Sequence, residues 1–189
     1  TTTFSLTVDT VAPAAPVITG VSDNVAPVIS QIANGGVTND PTPTFSGTVE
    51  QGAILTVSIN AGAPVAVTVD SGAWTYTPSS LADGTYTFSF VATDAAGNVS
   101  TATFSLTVDT VVPALVITSV NDNVAPVTGQ ITNGGVTNDP TPTFNGTVDP
   151  GATLTVSIGG QTTNVLVTGS SWTYTPSSLA DGTYTFSFV

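Results

Sequence analysis

The feature that most constrains this chain is an internal repeat whose period matches one whole small domain. The segment NGGVTNDPTPTF occurs at residues 34–45 and 133–144, and WTYTPSSLADGTYTFSFV occurs at 74–91 and 172–189. The octapeptide TFSLTVDT occurs at 3–10 and 103–110. The intervals of 99, 98 and 100 residues are too long for a solenoid rung or a propeller blade. The sequence therefore predicts tandem copies of a single domain.

Alignment of the repeats predicts the domain boundaries. Residues 11–110 form one complete repeat, and residues 1–10 correspond to the last strand of a preceding repeat. Residues 111–189 form a second repeat which, by comparison with 92–110, lacks its final strand. We therefore expect the chain to be an excerpt of a longer tandem array.

Apolar and hydroxyl residues alternate along each repeat, as expected for strands with one buried face. The longest predicted inward row is Tyr86, Phe88, Phe90 and Ala92, and Phe104 begins another that continues through Leu106 and Val108. Short Asp-, Asn- and Gly-containing turns separate the runs, and no segment has helical periodicity. Six or seven short strands around an aromatic core predict an all-β fold, in which immunoglobulin-like β-sandwich domains follow one another in an extended rod.

The stretch at residues 21–43 is longer than a hairpin connection and contains several prolines. We expect it to form a broken first edge strand that crosses over to the second strand. Proline on an edge strand would hinder pairing with other chains.

The amino-acid composition excludes several functions. The chain has no Lys, Arg, His, Cys or Met, and its 12 acidic residues give a net charge of -12. Nothing can neutralise phosphates, so nucleic acid is not an expected partner. Without Cys no disulfide can form, and without His or Cys the usual nucleophilic triads are impossible. A pair of carboxylates could hydrolyse a glycosidic bond, but the chain has a single Glu, so we expect no enzyme activity. No apolar run approaches the roughly 20 residues of a membrane helix, so direct membrane insertion is not expected.

The remaining metal donors are the hard oxygens of Asp, Asn, Thr and the backbone, which suit calcium. Acidic clusters recur in both repeats at equivalent positions, and strand-ending aspartates occupy the repeat boundaries. Because loops alternate between the two ends of a sandwich, these acids should collect at domain junctions. The carboxylates would repel one another there, and a bound Ca²⁺ would instead hold the two domains together. The predicted ligands are Asp9, Asp23, Asn24, Asp40, Asp94, Asn98, Asp109, Asp122, Asn123 and Asp139.

An alternative explanation holds for each of these residues taken singly. Asp and Asn before Gly or Pro are ordinary turn residues, whose side chains bond the backbone two residues further on. Asp70 and Asp83 fit turns only. No EF-hand spacing is present.

Several motifs resemble the bacterial Ig-like repeats of giant, type I-secreted, biofilm-associated adhesins. They are VDTVAP at 8–13, NDPTPTFSGTV at 39–49, LADGTYTFSFVATDAAGNVS at 81–100 and FSLTVDT at 104–110. The second linker, VDTVVP at 108–113, departs from the first but keeps its Asp and Pro. The resemblance covers essentially the whole chain. It implies an extracellular rod on the bacterial cell surface, stiffened by calcium at domain junctions through the aspartates of the clusters above.

The expected function is therefore that of a spacer, which holds a distal adhesion domain away from the cell for attachment or biofilm formation. Its partners would be neighbouring Ig-like repeats and, in a fibre, other copies. One alternative is a filament subunit that donates residues 4–8 by β-strand addition. Another is a module that binds carbohydrate or ice.

Overall fold

The structure is a computed structural model that describes residues 1–189 and consists of strands joined by turns and loops. This confirms the predicted all-β class. The chain divides into two compact units, Thr1–Val111 (unit 1) and Val112–Val189 (unit 2). It contains no helix with the length and apolar character required to cross a lipid bilayer.

Unit 1 contains ten strands, more than the six or seven that the sequence predicts. They are β1 (Val17–Asp23), β2 (Ser30–Gln31), β3 (Gly36–Thr38), β4 (Thr44–Thr48), β5 (Ile54–Ile59), β6 (Val65–Val67), β7 (Val69–Asp70), β8 (Ala73–Tyr76), β9 (Gly84–Thr93) and β10 (Val99–Val108).

The ten strands form two five-stranded sheets, in the orders β2-β1-β4-β8-β7 and β3-β10-β9-β5-β6. Strands β9 and β10 pair antiparallel over ten residues each, and β3 pairs parallel with β10 on its other side. The turn between β7 and β8 has positive φ at both Ser71 and Gly72, the backbone that a two-residue hairpin turn favours.

The core of unit 1 lies between the two sheets and is mainly aromatic. Phe45 is fully buried, and its ring centroid lies 4.3 Å from that of Phe88 and 5.6 Å from those of Phe90 and Phe104. The predicted inward rows of β9 and β10 are buried from Phe88 to Ala92 and from Phe104 to Val108. The alternation of apolar residues would also turn Val65 inward, but Val65 is 54% exposed because it lies in the edge strand β6.

The crossover at residues 21–43 differs from the expectation. Its first part is the end of β1, which is not an edge strand because it lies between β2 and β4. The crossover then adds β2 to the edge of the first sheet and β3 to the edge of the second. The crossover therefore supplies an edge strand to each sheet instead of forming one broken strand.

Unit 2 repeats this arrangement with fewer strands in its second sheet. Its strands are β11 (Leu115–Asp122), β12 (Gly129–Gln130), β13 (Thr143–Val148), β14 (Leu154–Ile158), β15 (Gln161–Val165), β16 (Val167–Thr168), β17 (Ser171–Tyr174) and β18 (Phe186–Phe188). The sheets have the orders β12-β11-β13-β17-β16 and β15-β14-β18. Around Phe144 and Trp172 they enclose a smaller core of the same kind.

The first strand begins at Val17, so residues 1–16 belong to no strand. The segment TFSLTVDT at 3–10 is exposed throughout, whereas the same sequence at 103–110 is largely the buried strand β10. An extended segment is held as a strand by backbone hydrogen bonds to a neighbouring strand, and residues 3–10 pair with no strand. Their assignment to a preceding repeat stays a prediction.

Candidate functional site

The loop that joins β9 to β10 is organised by Asp94. Its Oδ1 accepts hydrogen bonds from the backbone N–H of Ala96 (2.8 Å) and of Asn98 (2.9 Å). Its Oδ2 accepts a bond from Nδ2 of Asn98 at 2.8 Å. These bonds close the DAAGN segment into a turn stabilised by one carboxylate.

The same Asn98 amide connects this loop to the N-terminal segment of unit 1. Nδ2 also lies 3.3 Å from the carbonyl oxygen of Asp9 and 3.2 Å from that of Val11. The Asp9 carboxylate accepts a bond from the N–H of Val11 at 3.0 Å. Three oxygens from two chain segments therefore converge on one amide group, and the structure brings together Asp9, Asp94 and Asn98.

The hydrogen bonds at Asp94 affect its ionisation. The pKa of Asp94 lies below its ordinary value of 3.8, chiefly because the Asn98 side chain donates to the carboxylate and further because backbone N–H groups do. A lowered pKa in the folded state stabilises the fold above the ordinary pKa of the group. That contribution is lost as the pH falls through the lowered value.

A second acidic cluster of unit 1 is buried at the start of the crossover. Asp23 is 4% exposed and Asp40 is fully buried. The hydroxyl of Thr38 donates to Oδ2 of Asp23 at 2.7 Å and accepts the N–H of Asp40 at 3.0 Å. The other oxygen of Asp23 accepts the N–H of Val25 at 2.8 Å.

The carboxylate of Asp40 completes this network. Its Oδ1 accepts both the N–H (2.8 Å) and the hydroxyl (3.1 Å) of Thr42, and its Oδ2 accepts the N–H of Asn24 at 3.2 Å. Every carboxylate oxygen of Asp23 and Asp40 thus already accepts at least one hydrogen bond within unit 1. These bonds fix the path of the crossover, and a cation placed here would compete with them.

Unit 2 repeats the network with nearly identical distances. Thr137 donates to Asp122 at 2.7 Å, and Asp139 accepts bonds from the N–H groups of Thr141 (2.8 Å) and Asn123 (3.1 Å). The pKa of Asp139 lies below its usual value, chiefly because the backbone N–H of Thr141 donates to the carboxylate. The network is therefore a property of the repeat.

The remaining predicted ligand, Asp109, directly follows β10 and accepts the N–H of Val111 at 3.1 Å, as Asp9 does with that of Val11. Its own N–H donates to the carbonyl of Thr38, so Asp109 and Asp40 lie at the same end of unit 1. No group of three or more His, Cys, Asp or Glu side chains comes together as a metal cluster. The ten predicted ligands therefore divide into the Asp9–Asp94–Asn98 set, two buried networks and Asp109.

The sequence does not predict three further contacts of carboxylates with the backbone. Glu50 accepts the N–H of Ala14 at 2.8 Å, and Asp149 accepts that of Ala114 at 3.0 Å. Asp83, assigned only to a turn, accepts both the N–H (3.0 Å) and the hydroxyl (2.8 Å) of Thr110. The only sequence feature that points to any of these contacts is that Glu50 and Asp149, both acidic, occupy equivalent positions in the two repeats.

Replacing Asp40 by alanine should destabilise unit 1 by about 2 kcal/mol, because three partly buried donors lose their acceptor. Asp70→Ala is the matched control: it removes the same charge, but Asp70 is exposed and accepts only the Ser71 hydroxyl. Its expected effect is about 0.5 kcal/mol or less. Denaturant unfolding of the two variants measures the difference, and equal losses would contradict a structural role for Asp40.

Comparison with known proteins identifies one family. The family model described as bacterial Ig-like domain matches residues 19–110 and again residues 114–189. No curated protein matches the chain. Among solved structures, the crystal structure of dimeric latent PorU from Porphyromonas gingivalis is similar at 20% sequence identity and a TM-score of 0.39. That match covers 94% of this chain and 17% of the PorU chain.

Proposed function

Because this chain belongs to the bacterial Ig-like domain family and carries two such domains in tandem, we propose that it is a structural spacer of a bacterial cell-surface adhesin. In this role the domains transmit force and set distance, and adhesion is performed by another part of the protein. The proposed location is extracellular, at the cell surface, in attachment or biofilm formation.

The repeated design of the two units is the main support for a spacer role. Each unit has its own core, and the hydrogen-bond network of its buried aspartates recurs with distances that agree within 0.1 Å. In both units, a carboxylate at an equivalent position accepts a backbone N–H of the segment that enters the unit, at Ala14 and Ala114. A module that serves as a spacer needs a self-sufficient fold and a fixed entry of the chain, and both are present.

Calcium at the ends of the domains is the second part of the proposal. The donor set that suits it best comprises the carboxylates of Asp9 and Asp94, the carbonyl oxygens of Asp9 and Val11, and the amide of Asn98. All are hard oxygen donors or can supply one, which is the chemistry that Ca²⁺ selects. A bound cation would neutralise adjacent carboxylates in a chain that has no positive side chain and would cross-link the loop to the entering segment.

Binding carbohydrate through exposed indole rings is less well supported. Trp74 and Trp172 are 3% and 2% exposed, and each indole packs against a phenylalanine of its own core. Neither ring is available to stack on a sugar.

The test of the calcium proposal is the thermal midpoint of the 189-residue chain, with excess calcium and with a chelator. At a calcium concentration 100-fold above Kd, the midpoint should rise by about 10 °C. Identical curves in calcium and in chelator would refute calcium binding and leave a spacer stabilised by packing alone.

Asp94→Asn is the variant that locates the site. It keeps the size of the side chain and removes one charge, so the increase of the midpoint in calcium should disappear. Asp70→Asn removes a charge at an exposed turn and should retain the increase. A calcium-dependent increase of equal size in both variants would place the cation elsewhere.

A further inference from the structure

The second sheet of unit 2 has a regular edge strand, β15. It spans five residues and pairs with β14 through all of them, from Leu154 with Val165 to Ile158 with Gln161. No strand pairs with β15 on its other side. In the five-stranded sheet of unit 1, the equivalent strand β6 pairs with β5 and is likewise the outermost strand. This edge is therefore a feature of the repeat.

The hairpin between β14 and β15 determines which backbone groups of β15 face outward. Its two loop residues, Gly159 and Gly160, both have positive φ, as a type I′ turn requires. The residue pair that flanks such a turn is hydrogen-bonded, and hydrogen-bonded and non-hydrogen-bonded pairs then alternate along the strands. Thr162 and Asn164 therefore direct their N–H and C=O groups away from β14, toward the open edge.

Unit 1 carries two features that block the equivalent edge. Pro64 is equivalent to Thr162 and has no N–H to offer there, and β6 has only three residues. In β7, which follows β6 after one residue, Asp70 is equivalent to Thr168 of β16. Proline and charged side chains keep edge strands from pairing with other chains. Unit 2 has neither feature at these positions.

The distribution of charge favours a second copy of this chain as the partner of β15. Copies that each have a net charge of -12 repel one another, so they can approach only through a surface without acidic residues. Residues 150–180, which include β14 to β17, contain no charged residue. Leu166, directly after β15, is 80% exposed, whereas its counterpart in unit 1 is Thr68. Apolar surface and free backbone groups thus lie together on the neutral part of unit 2.

We propose that β15 pairs antiparallel with β15 of a second copy, which joins the second sheets of two unit 2 domains across a two-fold axis. Only one register uses both outward-facing residues: Thr162 pairs with Asn164 of the second copy, and Thr163 lies on the axis opposite its own copy. The outward residues then exchange backbone hydrogen bonds, and neutral side chains meet across the pair.

The contact is isologous, so it closes as a dimer instead of growing into a chain. A pairing of a few residues is smaller than a standard protein interface, and the dimer should dissociate on dilution. Copies held close together on one surface would be joined side by side. This inference goes beyond the spacer role and depends neither on calcium nor on cellular location.

Disulfide trapping in the 189-residue chain tests the pairing, because the chain has no Cys and an introduced thiol is the only one. Opposite residues in a non-hydrogen-bonded antiparallel pair have Cα atoms about 4.5 Å apart, which a disulfide can span. Thr163→Cys should therefore form a covalent dimer in oxidised glutathione. Val65→Cys is the matched control, since Val65 is the equivalent exposed residue of β6. It should cross-link at least about tenfold more slowly.

Asn164→Cys tests the register. In the proposed dimer the two copies of residue 164 are offset by two residues along the paired strands. Their Cα atoms are then roughly 9 Å apart, which is too far for a disulfide. This variant should cross-link as slowly as Val65→Cys.

Thr162→Pro, added to the Thr163→Cys chain, gives β15 the residue that blocks β6. The substitution removes an N–H that β14 does not use, so the hairpin should persist, and cross-linking should fall at least about tenfold. An unchanged thermal midpoint shows that unit 2 remains folded.

Thr163→Asp tests the same contact without proline. It places like charges opposite each other on the axis, so sedimentation at increasing protein concentration should show no dimer. Val65→Asp adds the same charge to β6 and should retain the dimer.

Four results would overturn the proposal. One is a wild-type chain that stays monomeric up to about 1 mM. Another is equal cross-linking of the Thr163→Cys and Val65→Cys chains. A third is an Asn164→Cys chain that cross-links as fast as Thr163→Cys, which would contradict the register. The last is a dimer that persists in Thr163→Asp, which would place the contact on another surface.

Discussion

Replacing Gly47 by alanine should lower the free energy of unfolding of unit 1 by about 3 kcal/mol. Gly47 lies in β4, opposite Trp74 of β8 and Ile18 of β1. A Cβ atom at this position would overlap the carbonyl oxygen of Val17 and the indole ring of Trp74. The first is backbone and the second is a packed ring, so neither can move without disturbing the core.

Unit 2 offers a second test of this prediction, at Gly146, and a matched control, at Gly182. Gly146 has the same surroundings, with the Val116 carbonyl and the Trp172 indole, so Gly146→Ala should be equally destabilising. At Gly182 an added Cβ would meet only the Tyr184 ring, at 3.6 Å, and the expected loss is about 0.5 kcal/mol or less. Denaturation followed by hydrogen exchange on peptides from each unit measures the losses separately. Equal stability of the Gly146→Ala and Gly182→Ala variants would contradict the indole contact.

Replacing Phe45 by alanine should cost unit 1 about 4 kcal/mol. Phe45 has no exposed surface and contacts the rings of Phe88, Phe90 and Phe104, so its removal leaves a cavity lined by aromatic rings. The equivalent Phe144 contacts the rings of Phe186 and Phe188 and is 7% exposed.

The loss for Phe144→Ala should be smaller by about 1 kcal/mol, the order of one aromatic pair. Denaturation followed by hydrogen exchange on peptides from each unit measures both losses. Equal losses would show that the Phe104 contact contributes nothing to the stability of unit 1.

The fold class and most of the core of unit 1 could be predicted from local patterns. The alternation along β9 and β10 continues for ten residues, so Phe88, Phe90 and Leu106 could be assigned to the interior without any tertiary information. Strands β2 and β3 could not be predicted in this way. Each is two or three residues long, and β3 exists because Gly36 pairs with Leu106 far along the chain.

The candidate site was predicted in part. Repetition singled out the acidic positions, and the alternation of loop ends suggested that Asp9 and the Asp94–Asn98 loop would meet. The sequence did not reveal that the Thr38 hydroxyl connects Asp23 to Asp40. The direction of a buried side chain depends on the donors that other segments provide. Binding of calcium to any of these residues stays a prediction.

The sequence by itself determined the repeat, the class of fold, the apolar face of each long strand and a surface without positive charge. These properties reside in residue type and local spacing, which are independent of distant partners. Tertiary structure alone decided which short segments are strands: Ser30–Gln31 pairs with β1, and Gly36–Thr38 pairs with β10. The reason is physical, because the hydrogen bonds and apolar contacts that hold a strand come from its neighbours in the sheet.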